Sequence, residues 1–178
     1  GSVTNASNVT VRYEYSKGLR TKLIADLPSG ETDQETVYTF GTTKGTAAGD
    51  SKIATGHLPQ KETYPDSGGA GDVVTHAYNA QSQELWKQDQ AGNVYEYEFD
   101  VAGRVTSKKV TTLASGFDGA VRRISTAYDS LGRVSTVTQW DNATGGSGTI
   151  TDEVKYTFDG WGNVEKFEQD KNSAVGAS

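Results

Sequence analysis

Apolar and polar residues alternate one for one along much of the chain. The runs Val9, Val11, Tyr13, Tyr15; Val74, His76, Tyr78; Tyr95, Tyr97, Phe99; Ile124, Thr126, Tyr128; and Val154, Tyr156, Phe158 each put an apolar or aromatic residue at every second position. Successive side chains of a strand point to opposite faces, so a period of two predicts strands with one packed face. The intervening Glu96, Glu98, Arg123 and Lys155 are expected on the other, solvated face.

Four of these runs end in one pattern: an aromatic, a short polar residue, two variable positions, a small residue and a polar residue. The copies are Tyr78-Asn79-Ala80-Gln81-Ser82-Gln83, Phe99-Asp100-Val101-Ala102-Gly103-Arg104, Tyr128-Asp129-Ser130-Leu131-Gly132-Arg133 and Phe158-Asp159-Gly160-Trp161-Gly162-Asn163, with aromatics 21, 29 and 30 residues apart. Asp or Asn at the first turn position accepts hydrogen bonds from backbone N–H groups further on. Gly at the fourth takes positive φ, so D-x-x-G predicts a type I turn closed by a G1 bulge. A second strand follows each turn, as in 133–140 (RVSTVTQW) and 163–167 (NVEKF).

Outside these four copies the pattern decays. Tyr13-Glu14-Tyr15-Ser16-Lys17-Gly18 is one residue short, Thr36-Val37-Tyr38-Thr39-Phe40-Gly41 keeps the strand without the turn, and Asp89-Gln90-Ala91-Gly92-Asn93 keeps the turn without an aromatic before it. Polar connections at 65–72, 114–120 and 141–149 alternate with the tight turns. The expected fold is all-β, an antiparallel meander of about twelve short strands in repeated hairpins. No linker divides it, so 1–178 reads as one domain: degenerate repeats over 9–72 with a Gly-rich insertion or mobile loop at 41–56, clear repeats over 73–170, and a frayed tail over 171–178.

Composition agrees. Val and Thr number 16 and 22 against 7 Leu and no Met, a bias toward β-branched residues that suit a pleated surface. Leu, Ile, Val and Phe together are only 32 of 178 residues, near the level at which disorder becomes a serious prior. A net charge of −6 is too small to drive disorder, and nine Tyr and three Trp supply apolar area, so a folded chain with a thin core is expected. The acidic balance of 17 Lys and Arg against 23 Asp and Glu lacks the footprint of a nucleic-acid binder. A mean hydropathy of −0.62 with no long apolar run excludes a membrane-inserted helix. Zero Cys removes disulfides, thiolate nucleophiles and Cys-ligated zinc. Gly1-Ser2 resembles a scar of tag removal and no start Met is present, so the chain reads as an excised internal segment.

The in-phase Y-D-x-x-G-R pattern resembles the Rhs/YD repeat of bacterial Rhs and wall-associated proteins, the C component of Tc toxins and the teneurins. The likeness is clear over about 73–170 and weak over 9–72. It implies a spiral sheet of hairpins forming part of a hollow shell, and a structural, non-enzymatic segment of a larger secreted or cell-surface protein, bacterial in origin, whose wall encloses or presents another polypeptide. The turn residues Tyr78, Asn79, Phe99, Asp100, Gly103, Arg104, Tyr128, Asp129, Gly132, Arg133, Phe158, Asp159, Gly162 and Asn163 carry it. Family shells are often closed by an aspartyl autoprotease with a D-P-x-G type motif, but none of Pro28, Pro59 and Pro65 follows an Asp. No catalytic residue is carried over.

The residues themselves offer little chemistry, and no catalytic, metal or cofactor site is expected. His57 reads as a surface-loop histidine and His76 as a packed, hydrogen-bonded one. The repeated Asp100, Asp129 and Asp159 are accounted for as turn caps rather than as a glycosidase pair. Asp141, Asn142, Asp152 and Glu153 could flank a calcium ion, but their spacing matches no EF-hand or RTX loop and a solvated hairpin end accounts for them. Asn5, Asn8 and Asn142 begin chance-level glycosylation sequons, and 65–72 lacks the G-K-[ST] of a phosphate loop.

Trp86, Trp140 and Trp161 are the candidate ligand contacts. An exposed aromatic stacks on sugar rings, and the alternative reading is accordingly a freestanding carbohydrate- or surface-binding module. Otherwise the expected partners are flanking repeats of the parent chain. Cutting a spiral also exposes strand edges, which predicts edge-to-edge self-association or covering of the edges by 41–56 or the termini.

Overall fold

A computed structural model describes residues 1–4, 10–28, 30–65 and 72–176. Strand position Val9, the sequons at Asn5 and Asn8, most of the Gly-rich connection at 65–72 and the last two residues of the tail lie outside the described residues. Thirteen strands and no helix occur among them, so the fold is all-β.

The chain forms two compact units, residues 1–92 and 93–178. The first contains β1 (Ser2–Thr4), β2 (Thr10–Ser16), β3 (Leu19–Asp26), β4 (Gln34–Thr42), β5 (Thr55–Thr63), β6 (Val73–Tyr78) and β7 (Glu84–Gln88). Each pairs antiparallel with the next. The second contains β8 (Val94–Phe99), β9 (Val105–Thr112), β10 (Arg123–Tyr128), β11 (Val134–Trp140), β12 (Ile150–Phe158) and β13 (Val164–Lys171), again in sequential antiparallel pairs. The strand beyond the expected twelve is β1, three exposed residues paired with Thr10–Arg12.

The shortened upstream copy has a direct cause. Lys17 and Gly18 have φ of 52° and 80°, so β2 and β3 join through a two-residue turn with both centres left-handed, where five residues separate the strands of each clear copy. In the four clear copies the register shifts by one residue immediately before the turn, between Ala77 and Tyr78, Glu98 and Phe99, Ala127 and Tyr128, and Thr157 and Phe158. A bulge at this place adds twist to every hairpin in the same sense.

The core is thin. Ile24, Val74, Ala77, Tyr78 and Val94 are the buried apolar residues among those described, and three of the five belong to β6. The stretch 41–56 contributes to that burial. Strands β4 and β5 extend into its two ends, and the residues between are pinned: Lys52 N–H donates to Tyr78 O at 2.6 Å, Tyr78 N–H donates to Ser51 Oγ at 3.1 Å, and Gly49 lies against the Trp86 ring.

Arg123 departs from the expected pattern. Alternation predicts a solvated position for it, yet it is only 4% exposed, because the 141–149 connection folds over that face. Its guanidinium donates to the carbonyls of Thr144 and Ser147 and stacks on the Trp140 ring, 4.5 Å from the centroid. Ser107 and Thr138, on the same face, are buried with it, whereas Ile124 of the run in β10 and Val164 and Phe167 of β13 are exposed. Around Arg123 the polar face of the second unit is thus the covered one.

Candidate functional site

The recurrent feature is the turn, built first from local hydrogen bonds. In the copy at Asp129 one carboxylate oxygen accepts the N–H groups of Leu131 and Arg133, both at 2.9 Å. Backbone bonds Gly132 N–H to Asp129 O and Asp129 N–H to Arg133 O, each 2.9 Å, close the ring. Asp100 repeats this with Ala102 and Arg104, and Asp159 with Trp161 and Asn163. In the first copy Asn79 Oδ1 accepts from Gln81 and Gln83, and Ser82 takes the glycine position at φ 66°.

The second carboxylate oxygen holds the residue that ends the motif. Asp100 Oδ2 accepts Arg104 Nε at 2.7 Å, Asp129 Oδ2 accepts Arg133 Nε at 2.6 Å, and in the last copy Asn163 Nδ2 reaches Asp159 Oδ2 at 3.1 Å. Such charge-assisted bonds favour the ionised acid. Asp100 is held below the usual carboxylate range by the Arg104 backbone N–H and then its side chain. Asp159 is held down by the Asn163 side chain and then its N–H. For Asp129 partial burial is the largest influence and pushes upward, but Arg133 and Leu131 together outweigh it and the acid is lowered.

Once oriented, each arginine reaches the next copy. Arg104 lies 4.3 Å over the Tyr128 ring and Arg133 lies 4.1 Å over the Phe158 ring. Tyr128 answers by donating its hydroxyl to Val105 O at 2.8 Å, immediately after Arg104. Gly132 lies under the same guanidinium: a Cβ there would stand 2.8 Å from Arg104 Nη1. The glycine thus serves its own turn, at φ 82°, and makes room for the arginine of the preceding one. The motif is an interlock between copies as well as a turn.

The first unit contains a looser version. Arg20 lies 4.7 Å over Tyr38 and 5.9 Å over Tyr13, a stacking that pattern reading missed because Arg20 falls two residues after its glycine rather than one. Tyr78 donates its hydroxyl to Pro59 O at 2.8 Å, and burial, then Glu84 and Glu62, push its pKa up to about 12.

His76 is packed and hydrogen-bonded, with Nδ1 2.6 Å from Glu84 Oε2. Its Nε2 is buried without a hydrogen-bond partner, 3.7 Å from Glu62 Oε1. Tyr64 donates to the other oxygen of Glu62 at 2.8 Å, which raises the Tyr64 phenol to about 12. His57 is exposed, in strand β5 rather than in a loop.

The other candidates are separated. Trp161 is 93% exposed at its turn. Trp140 is half-buried under Arg123 and donates its indole N–H to Ser125 Oγ at 2.9 Å. Trp86 is half-buried in β7 against Gly49. Asp141 and Asn142 accept the N–H groups of Thr149 and Thr144 within their own connection. Asp152 accepts from Gln169, and Glu153 from Thr138 and Val175. No group of three metal-ligating side chains converges among the described residues. No helix among them is long and apolar enough to cross a membrane.

No family model matches the sequence, and no curated protein matches it. Solved structures of Tc toxin assemblies do resemble it. A crystal structure described as TcdB2-TccC3-TEV aligns over 96% of this chain and 11% of its own, at 15% identity and a TM-score of 0.36. A Photorhabdus luminescens Tc holotoxin pore carrying TccC3-D651A aligns over the same shares at 13% identity and a TM-score of 0.27. TcdB2-TccC3 without its hypervariable C-terminal region aligns over 95% and 11% at 14% identity and a TM-score of 0.34. The chain therefore spans about a tenth of the length of the solved chains it matches.

Proposed function

We propose that this chain is a non-catalytic wall segment of a larger Rhs/YD-repeat protein, secreted or carried at the cell surface, whose repeats enclose or present another polypeptide. The observation that carries the reading is the interlock. Arg104 on Tyr128 and Arg133 on Phe158 bind three successive hairpins of the second unit by an arginine on an aromatic ring in the same sense, which is how a repeat array transmits stability through neighbours. The recurrent chemistry of the turn is consumed in doing so: both oxygens of Asp100 and of Asp129 are occupied by their own turns. Flanking repeats of the parent chain are the expected partners.

The test is the size of the native polypeptide that carries this segment, by immunoblot and peptide mass spectrometry of cells and culture medium. A product far above 19.0 kDa with peptides on both sides supports the wall reading, and one ending near 19.0 kDa overturns it.

A second reading rests on Trp161, whose 93% exposure at a turn tip suits stacking on a sugar ring. A glycan screen checks it: binding that disappears in Trp161→Ala supports a carbohydrate-binding module, and no binding by the parent chain removes it.

A further inference from the structure

The polar face of the second unit holds a small cavity beside the 141–149 connection, about 270 Å³ in volume. Its floor follows from strand register. Glu98, Ser107 and Ser125 stand directly opposite one another across β8, β9 and β10, so their side chains share one face, and Arg123 lies two residues before Ser125 on that same face. Trp140, the cross-strand partner of Arg123 in β11, forms one side, and Gly145 and Gly146 of the connection form another. Every lining residue lies within the second unit, and neither end of the chain shapes the cavity.

Three polar groups at the cavity have hydrogens to donate. Arg123 is 4% exposed, yet among the described residues no carboxylate forms an ion pair with it. The carbonyls of Thr144 and Ser147 take two of its five N–H groups, and the Trp140 ring covers one face of the guanidinium. Carbonyl dipoles do not supply the counter-charge that a buried cation usually has. Ser107 is also 4% exposed, and its hydroxyl is buried with no hydrogen-bond partner. Native proteins leave few buried polar groups unpaired. Ser125 Oγ accepts the Trp140 indole N–H at 2.9 Å, which leaves its own proton to donate.

Donors converging beside an unpaired cation call for an acceptor that carries negative charge. The cavity's own carboxylate is already engaged: Glu98 is held by Lys109, which stands opposite Arg123 in β9. Glu96 and Glu153, on the same face, accept from Thr111 and from Thr138 and Val175, and neither lines the cavity. Arg123 and Lys109 against Glu98 leave an excess of one positive charge. A monoanion matches that excess, whereas the second charge of a phosphate or sulfate dianion would face Glu98. A carboxylate is also the planar partner that a guanidinium fork fits, and the Trp140 indole gives the carbon body of an acid an apolar flank.

We propose that the cavity between Arg123 and Ser107 binds the carboxylate of a small organic acid, with the guanidinium as counter-ion and the hydroxyls of Ser107 and Ser125 as further donors. Trp161 does not line this cavity. The inference does not rest on the wall reading, and the size of the native polypeptide, which tests that reading, leaves it untouched.

Amide NMR of the 178-residue chain, titrated with sodium glucuronate at an ionic strength held constant with sodium chloride, tests it. Acetate, glucose and inorganic phosphate serve as further probes. Saturable shifts at Ser107, Arg123 and Gly146 in the millimolar range are expected with glucuronate and with acetate, and none with glucose. Ser107→Ala removes a hydroxyl that bonds nothing within the chain, so the variant keeps its fold, as far-UV circular dichroism checks. Its affinity for glucuronate is expected to fall about tenfold, the scale of one hydrogen bond to a charged group. Arg123→Gln keeps an amide donor without the charge and is expected to abolish saturable binding. If that buried substitution prevents folding, Ser107→Ala decides alone. No saturable shift up to tens of millimolar acid, glucose bound as well as glucuronate, phosphate bound more tightly than either carboxylate, or an unchanged affinity in Ser107→Ala would each overturn the proposal.

Discussion

The guanidinium of Arg104 lies 4.3 Å over the ring of Tyr128, one hairpin further along the chain. Asp100 holds the same guanidinium from its own turn through Nε at 2.7 Å, and the Tyr128 hydroxyl returns a hydrogen bond to Val105 O at 2.8 Å. A planar cation gripped at its edge and stacked on its face is a task for arginine, since an ammonium offers no plane to stack.

Arg104→Lys is expected to destabilise the chain nearly as much as Arg104→Ala, by about 1 kcal/mol, the usual scale of a partly exposed cation–π contact. A double-mutant cycle with Tyr128→Leu, followed by urea unfolding, should give a coupling of about 0.5–1 kcal/mol. Additive effects would mean the stacking contributes nothing.

Gly132 and Gly162 occupy equivalent places with φ of 82° and 90°, so an L side chain at either suffers the left-handed penalty of about 1–2 kcal/mol. A Cβ at Gly132 would stand 2.8 Å from Arg104 Nη1, whereas one at Gly162 would stand 3.7 Å from Arg133 Nη1, an ordinary contact. Gly132→Ala is therefore expected to cost more than Gly162→Ala, and the excess should vanish in an Arg104→Ala background. Urea midpoints of the four variants check this.

The turn aspartates Asp100, Asp129 and Asp159 are lowered in the folded chain. A depressed carboxylate adds stability that is complete above the unfolded value of about 3.9 and lost as pH falls through the folded one. Urea midpoints should fall steeply below about pH 4. The triple variant Asp100→Asn, Asp129→Asn, Asp159→Asn gives each turn the amide that Asn79 already has. It should start lower at neutral pH and show a flatter acid limb.

At the alkaline end the sign reverses. Tyr64 and Tyr78 are raised to about 12, so the folded chain keeps protons that the unfolded chain releases near 10, and stability declines as pH rises between those values. Phenolate absorbance should show two late tyrosines. Tyr78→Phe removes one of them and, with the Pro59 hydrogen bond, about 1 kcal/mol.

Trp161→Ala should change stability by less than about 0.5 kcal/mol, because the side chain is 93% exposed. A larger loss in thermal unfolding would show that the ring packs against the protein.

The turns were legible in the sequence because every bond that makes them is local: Asp129 needs only the backbone N–H groups two and four residues on. The strands were legible for a similar reason, since alternation is read residue by residue. The burial of Arg123 was not, because it depends on the 141–149 connection, whose Gly, Ser and Thr residues give no sign of folding back onto the sheet. The reach of Arg104 to Tyr128 was equally hidden, because it joins residues in different copies, and the motif alone does not say that its last residue serves the next turn. Strand β1 escaped notice because three residues carry too little period to register.

The interlock has a polarity. Arg104 rests on Tyr128, and Arg133 rests on Phe158, so the hairpins that turn at Asp100 and Asp129 each lend a cation to the one after. Damage should travel the same way: an injured arginine unseats the aromatic downstream and leaves the upstream hairpin seated. The turn at Asp159 carries Asn163 in that place and lends no cation. Whatever lies against the far side of that hairpin must be held by other means, and the relay of positive charge from turn to turn stops there.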